Sequence, residues 1–418
     1  MIYFRHFRSL NQYLQVKNEK TVIIEGSEGV LWTMFIQSLC TELEKAGKKA
    51  KVVPVSDALK TEEEIDELIK PFMGEKDSIF GRITNLRIID FFRREALAAI
   101  VPDETYDINI IYGQGAALAG WKGCLVFVDL PKNELQFRMA AGVSFNFACT
   151  RKLDARESYK RSYFVDWPIL DAYRGSLIPQ IDWIGDEQRI DKYTFMSGDN
   201  FRDALGRMCR NSFRVRPWFA PGVWGGTYLR DTIDGLNRDE KNIAWSYELM
   251  ALENGIMFAH DGVLMETSFC FLMSYGYKDI LGDCAEDFKQ DFPIRFDFLD
   301  TIEGDNLSIQ CHPRPEYIRS RFGKEYTQDE TYWKYVETPI SEEEATEKLI
   351  QQLQSYINQV RWFLNTYNLT VEQHQFDALV SFTYNCGGGW TTDTNGYFNR
   401  AVREGDMGSA FIYGMCLW

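Results

Sequence analysis

The chain has 418 residues, of which 45% are hydrophobic and 15% aromatic, and a formal net charge of −15. That length suggests about two to four domains with several cores, and the composition excludes a disordered chain. The acidic balance disfavours nucleic acid and anionic membrane surfaces as partners. The nine scattered cysteines, with no C-x-x-C pair, fit reduced thiols better than a disulfide framework or a zinc knuckle.

The first 20 residues are broken by charges and hold no signal-peptide core, and no apolar run reaches the length of a membrane span. A cytoplasmic protein is the expectation. Residues 21–26, TVIIEG, read as a buried strand. Val30 to Gly47 then reads as an amphipathic helix, with Leu31, Phe35, Leu39 and Leu43 on one stripe. Further strands are expected at Lys51 to Ser56, Asp107 to Tyr112 and Cys124 to Leu130. Strands alternating with helices indicate an α/β layered domain with a mainly parallel sheet.

The strand, loop and helix at Glu25-Gly26-Ser27-Glu28-Gly29-Val30-Leu31-Trp32-Thr33 occupy the place of a phosphate-binding loop. A working loop is G-x-x-x-x-G-K-[ST], whose lysine neutralises the phosphates and whose hydroxyl holds magnesium. Here the second glycine is early, no lysine follows, and Glu28 puts a negative charge where phosphates would sit. The segment resembles the start of uridine-kinase-like P-loop domains, with Asp57 matching their post-strand acid. It reads as a degenerate, structural version, and no nucleotide site is assigned. Tyr112-Gly113-Gln114-Gly115 reads as a strand-end turn.

Residues 151–203 are mixed and aromatic, without a clean period, and read as the end of the first domain and its connection to the next. Arg214 to Arg230 is rich in proline, tryptophan and glycine, which speaks for loops and close backbone approach. Residues 241–281 carry a more helical pattern, with Trp245, Leu249 and Leu252 spaced for one face and Phe269 and Leu272 as core. The acids Glu248, Glu253, Asp261 and Glu266 read as solvated or capping, and no catalytic residue is assigned among them.

Asp300 to Trp333 carries the most specific chemistry. Leu307 to Pro313 alternates as a β-strand, which projects Gln310 and His312 from one face and Ile309 and Cys311 from the other. A glycine-containing turn and a second short strand then deliver Glu330, followed by Tyr332 and Trp333. An amide carbonyl, an imidazole and a carboxylate on one side of a sheet form a candidate site for a hard-to-borderline divalent metal.

Past Pro339 the pattern turns helical. Ser341 and Glu344 form a capping box, and Ala345, Leu349, Leu353, Tyr356, Ile357, Val360 and Leu364 make a stripe. Thr370 and Gln373 repeat the cap signature ahead of Phe376, Leu379, Val380 and Thr383, and Asn385-Cys386-Gly387-Gly388-Gly389 closes that second helix.

Two family resemblances follow. The middle of the chain, about residues 210–335, resembles class I mannose-6-phosphate isomerases, zinc enzymes of the cupin type. It does so through Trp224-Gly225-Gly226, Phe292-Pro293-Ile294-Arg295, Leu307 to Pro313 and Glu330-Thr331-Tyr332-Trp333. The resemblance implies a Zn2+ ion held by Gln310, His312 and Glu330, a phosphorylated sugar substrate, and aldose–ketose interconversion through an enediol. Family members add a second histidine on a later strand. Besides His312 this chain has only His6, His260 and His374, the last on a predicted helix, and Gln328 stands where the family often has lysine.

The last ~80 residues are similar to phage-type lysozymes of glycoside hydrolase family 24. The resemblance rests on Ile340 to Leu353 and on Gln375-Phe376-Asp377-Ala378-Leu379-Val380-Ser381-Phe382-Thr383-Tyr384-Asn385-Cys386-Gly387. It implies peptidoglycan cleavage by a glutamate acting as general acid with a nearby aspartate and threonine. That catalytic segment precedes the helices in the family and carries a T-I-G-x-G-H-like strand, which this sequence lacks.

The expected architecture is therefore multidomain. Residues 1–200 form a P-loop kinase-like α/β domain with a degenerate phosphate loop. Residues 201–336 form a mainly-β, cupin-like, incomplete isomerase-type metal-binding domain. Residues 337–418 form an all-α lysozyme-like appendage, also truncated. Three functions stay open: a zinc-dependent isomerase of mannose 6-phosphate, a peptidoglycan-cleaving lysozyme, and a non-catalytic fusion of the two.

Overall fold

A computed structural model describes residues 3–4, 19–74, 81–189, 192–213, 215–250, 252–260, 263–305, 315–323, 342–386, 388–407 and 410. They fall into two units, Met1–Gln328 and Asp329–Trp418. The chain is mixed α/β with sheets, followed by a helical C-terminal region.

In the first unit the strands are β1 (Tyr3–Phe4), β2 (Thr21–Gly26), β3 (Ala50–Pro54), β4 (Ile108–Tyr112), β5 (Cys124–Asp129), β6 (Trp183–Asp186) and β7 (Thr194–Ser197). They form one sheet in the order β1-β7-β6-β5-β2-β4-β3. The run from β6 to β3 is parallel, with Val22 opposite both Ile110 and Cys124, while β7 returns antiparallel to β6.

Period two explains the sheet's two-sided burial. Val22, Ile24, Ile110 and Val126 pack on one face, against Phe35, Ile36, Leu39 and Leu43 of the helix Trp32–Lys45. Ile23, Ile111 and Phe127 face the other way. Strands buried on both faces need helices on both sides, so they read as near-continuous apolar runs.

The second face is covered by the helices Trp167–Leu177, Gly198–Met208 and Phe269–Leu281, and by the antiparallel hairpin of β10 (Gly255–His260) and β11 (Val263–Ser268). Phe271 meets Phe127 edge-on at 5.2 Å and Phe201 at 5.1 Å, and Phe201 meets Phe258 at 5.8 Å. One apolar core thus runs from Ile23 to Met273 without a break at residue 200.

The remaining strands, β8 (Trp218–Ala220), β9 (Trp245–Met250) and β12 (Arg295–Leu299), make an antiparallel sheet in the order β12-β9-β8. Tyr247 sits at φ 51° in the middle of β9, where the register slips against both neighbours. A non-glycine residue in the left-handed region marks a bulge.

Two stretches differ from expectation. Residues 183–197 supply two sheet strands although they show no period, because a four-residue strand is too short to display one. Trp245–Met250, Gly255–His260 and Val263–Ser268 are strands, and only Phe269–Leu281 is helical. Trp245 and Leu249 fit a helical stripe, but with Tyr247 they also alternate. Pairing of β9 on both sides, and the turn that ends at Gly255, decide for strands.

The second unit holds the helices Glu342–Thr366, Gln373–Cys386 and Tyr397–Arg403. Val360, Leu364, Leu379 and Val380 from the expected stripes are buried together with Phe363 and Phe398. The second helix opens two residues later than the Thr370 spacing predicts. The Glu372 N–H donates to the Gln375 side chain at 2.9 Å, so the reach-back half of a capping box stands at 372–375. No described helix is long and apolar enough to cross a membrane.

Candidate functional sites

In a parallel α/β sheet, ligands bind in the crevice outside the carboxyl ends of the strands. For the three central strands β2, β4 and β5 those ends are Gly26, Tyr112 and Asp129. Gly26 is packed so closely that a Cβ there would lie 2.7 Å from the Trp32 ring and 2.9 Å from the Val128 carbonyl. Gly29 turns the loop at φ 87°, a conformation that favours glycine.

The loop's polar groups are satisfied from within the chain. The buried Glu25 carboxylate accepts the N–H groups of Gly115 (3.1 Å) and Ala117 (2.8 Å) and the hydroxyl of Tyr173 (2.7 Å). Burial pushes its pKa up to about 7, against those hydrogen bonds. Glu28 is buried too and accepts the Phe147 N–H at 3.1 Å. Burial, reinforced by Asp166, holds it well above the usual carboxylate range. The Ser27 hydroxyl donates to Asp129, whose carboxylate also accepts the Ser268 N–H at 2.6 Å and hydroxyl at 3.1 Å.

The Gln114 side chain donates to the Ser27 carbonyl at 3.2 Å, which ties the strand-end turn to the loop. Asp57 sits exposed in the turn after β3. Glu28 is thus buried beneath the loop with its proton favoured, and its carboxyl group is engaged by the chain itself.

Beside this loop lies a buried ionic cluster that sequence reading did not find. Lys132, in the first turn after β5, donates to Asp171 at 2.5 Å and to the Cys270 sulfur at 3.3 Å, and lies 4.9 Å from the Trp167 ring centre. Burial works against the Lys132 ammonium, but Asp171 and Cys270 override it and hold the amine above its ordinary value. Burial and Asp171 push the Cys270 thiol up to about 11, which makes it a poor nucleophile. The partners lie 39 and 138 residues from Lys132, so no local spacing reveals them.

Of the four acids read as solvated or capping, Glu253 and Glu266 are buried instead. Glu253 accepts from the Tyr159 hydroxyl at 2.9 Å and the Gln136 amide at 2.5 Å. Glu266 pairs with Arg216 at 2.7 Å. The Glu248 side chain and Asp261 lie outside the described residues.

The Trp224-Gly225-Gly226 motif is clamped from two sides. Asn242 exchanges hydrogen bonds with the Gly222 backbone at 2.8–2.9 Å. The buried Asp300 accepts the Gly226 N–H on its carbonyl (2.7 Å) and the N–H groups of Leu229 and Ile302 on its carboxylate (2.8 and 3.0 Å). The Asp305 N–H donates to the Trp224 carbonyl at 2.9 Å. A Cβ at Gly226 would land on the Ile302 carbonyl and the Asp300 carboxylate. Gly226→Ala is therefore expected to destabilise the first unit by about 1–3 kcal/mol, as overpacking does. Equilibrium urea unfolding measures it, and a loss below about 0.5 kcal/mol would show that the clamp yields freely.

Gln310, His312 and Glu330, together with Tyr332 and Trp333, lie outside the described residues, as does His6. His260 ends β10 and His374 lies in the helix Gln373–Cys386. Among the described residues, no group of three or more His, Cys, Asp or Glu side chains is placed to hold a metal ion. Cys40, Cys124, Cys149, Cys209, Cys270 and Cys284 are free thiols.

In the second unit Trp390 is the hub. Its indole N–H donates to the buried Thr383 hydroxyl at 3.0 Å, and its ring meets Phe363 at 4.7 Å and Phe398 at 4.8 Å. Gln359 donates to the Gly388 carbonyl (2.9 Å) and the Thr391 hydroxyl (3.1 Å), and Asn399 to the Trp390 carbonyl (2.8 Å). Asp393 accepts the Gly396 N–H at 3.1 Å in the turn ahead of the last helix, and Asp377 accepts from Gln373 at 2.8 Å.

Comparison with known families matches both ends of the chain. Residues 7–210 match a family model described as a domain of unknown function, DUF8485. Residues 323–418 match the phage lysozyme model, so the C-terminal unit is of lysozyme type. Residues 211–322 lie between the two matched spans. No curated protein matches the chain.

Proposed function

We propose that the protein is directed to peptidoglycan by its C-terminal unit and cleaves the glycan strands. The match of residues 323–418 to phage lysozyme supports this reading, because peptidoglycan is the substrate such a domain implies. Glycoside hydrolysis takes a pair of carboxylates flanking the scissile bond. Asp377 and Asp393 serve a side-chain hydrogen bond and the turn ahead of the last helix. In the enzymes that the unit resembles, the acid comes ahead of the helices. The carboxylates of the matched span that precede Glu342 are Glu325, Asp329, Glu330 and Glu337, and the proposal assigns the general acid to this set.

The experiment is clearing of a peptidoglycan suspension between pH 4 and 8 by the full chain and by E325Q, D329N, E330Q and E337Q. Loss of the acid should slow clearing by about 100-fold or more in one variant. Wild-type protein that neither clears the suspension nor sediments with it would sink the proposal. Sedimentation without clearing would leave binding and remove cleavage.

A second reading keeps the isomerase resemblance, for which the clamp on Trp224-Gly225-Gly226 is the favouring observation. That clamp fixes the chain at Asp300 and Asp305, just before the stretch that carries Gln310 and His312. An amide oxygen, an imidazole and a carboxylate suit zinc. Gln310, His312 and Glu330 would hold it, and a bound zinc would polarise the carbonyl of a sugar phosphate. Metal analysis of the purified chain should then find about one zinc per chain, lost in His312→Ala. Zinc well below that ratio in the wild type removes this reading. E330Q separates the two: it empties the metal site in one and bears on clearing alone in the other.

A further inference from the structure

Lys132 and Cys270 form a close pair that neither proposed function uses. The Lys132 amine lies 3.3 Å from the Cys270 sulfur. Asp171 touches both groups, at 2.5 Å from the amine and 3.6 Å from the sulfur. Lys132 opens the helix that follows β5, and Cys270 stands in the first turn of Phe269–Leu281, so the pair joins elements 138 residues apart in sequence. The two residues are only 5% and 2% exposed. Both nonetheless line a cleft of about 200 Å³, walled by Trp167 and Phe292, which has room for an oxidant little larger than water.

We propose that Lys132 and Cys270 are a covalent modification site, at which a peroxide drives formation of a bond between the amine nitrogen and the sulfur. In the first step the sulfur attacks hydrogen peroxide and the O–O bond breaks. The sulfur is oxidised to a sulfenic acid and the peroxide is reduced to water. In the second step the Lys132 ammonium passes a proton to Asp171, the freed amine attacks the sulfenic sulfur, and the S–O bond breaks. The departing hydroxide takes the proton from Asp171 and leaves as water, and the nitrogen sheds its remaining extra proton to solvent. One ammonium, one thiol and one peroxide thus give a sulfenamide, two waters and a proton. A separation of 3.3 Å already places the reacting atoms, and sulfenic acids condense with nitrogen in this way. Asp171 keeps a partner once the lysine charge is gone, because Arg174 lies 3.3 Å from its other oxygen. The resting state sets the conditions. Burial and Asp171 push the thiol up to about 11, against Lys132 and Arg174, the cations that face it. Only the thiolate attacks peroxide, so the site is slow at neutral pH and quickens as pH rises. This proposal is independent of the C-terminal reading.

The test is treatment of the full chain with hydrogen peroxide at pH 7 and pH 9, alkylation of the remaining thiols, and peptide mass spectrometry after cleavage at residues other than lysine. A species joining residues 132 and 270, lighter by two hydrogens than the two peptides together, should form roughly a hundredfold faster at pH 9 than at pH 7. Dithiothreitol should release it. Lys132→Arg keeps the positive charge and should abolish the bridge, as should Cys270→Ser; the wild-type result decides by itself should either variant fail to fold. Cys270 recovered as a free thiol in samples whose exposed Cys284 is fully oxidised overturns the proposal. So does Cys270 oxidised to a sulfinic acid beside an unmodified Lys132, a linkage that retains oxygen, or a rate equal at the two pH values.

Discussion

Phe271→Ala is expected to destabilise the first unit by about 3–5 kcal/mol, the cost of emptying a buried aromatic site. The ring is fully buried and is held edge-on by Phe127 of β5 and Phe201, with the Arg174 guanidinium 5.2 Å from its centre. Its loss would leave a cavity and strip the buried Arg174 of that contact. Because Phe271 and Phe127 are 144 positions apart in sequence yet in one core, the effect should reach the sheet itself. Urea unfolding followed by tryptophan fluorescence should show a lower midpoint with an unchanged slope. Hydrogen exchange of the β5 amides should accelerate in parallel. Protection of β5 identical to wild type would mean that residues 255–281 unfold on their own, and the single core would be refuted.

The second large effect is a pH dependence set by Glu25. Its folded-state pKa is raised from 4.5 to about 7. Below pH 4.5 the group is protonated in both states and contributes no penalty. Between 4.5 and 7 the unfolded chain releases the proton while the folded one keeps it, so stability falls as pH rises. The loss is complete above about pH 7 and amounts to roughly 3 kcal/mol. Glu28 and Asp166 are raised as well, and burial pushes Asp186 up to about 6, so the wild type slopes the same way for several reasons. The specific measurement is the difference from Glu25→Gln. Relative to wild type, the variant should gain about 3 kcal/mol between pH 4.5 and 8, on top of a constant offset from its altered hydrogen bonds. A difference that stays flat across that range would show that Glu25 is ionised in the fold throughout.

How much of this was legible in the sequence depended on how local the deciding interaction is. TVIIEG, Cys124 to Leu130 and the helix stripe of Phe35, Leu39 and Leu43 could be read because burial on both faces, or on one stripe, is written into adjacent residues. So could the lysozyme-type helices, whose stripes are also local and whose family is matched, although the second starts at Gln373 rather than directly after Thr370 and the Ser341 cap lies outside the described residues. Trp245 to Met250 was misread because its apolar spacing serves two periods, and only pairing with β8 and β12 chooses between them, while β10 and β11 declare themselves only by pairing with each other.

At the sites, the glycines and Glu28 marked a tight loop, and the structure shows Gly26 closely packed and Glu28 buried there. What occupies that loop's neighbourhood was not visible. Lys132, Asp171, Cys270 and Glu253 come from four separate segments, and each looks ordinary in its own context. The buried acids Glu253 and Glu266 show the same limit: their partners Tyr159, Gln136 and Arg216 lie 50 or more positions away.

The hydrogen bonds of Asp129 also bear on how the protein is made. Its carboxylate joins Ser27, 102 positions earlier, to Ser268, 139 positions later. At typical synthesis rates, roughly 7–30 s pass between the appearance of Asp129 and that of Ser268 on the ribosome. During that interval the carboxyl edge of the sheet lacks its closing segment, and the face that will receive Phe271 is open to water. A chaperone that shelters apolar surface would find its opportunity then, and a translational pause before residue 268 would prolong it.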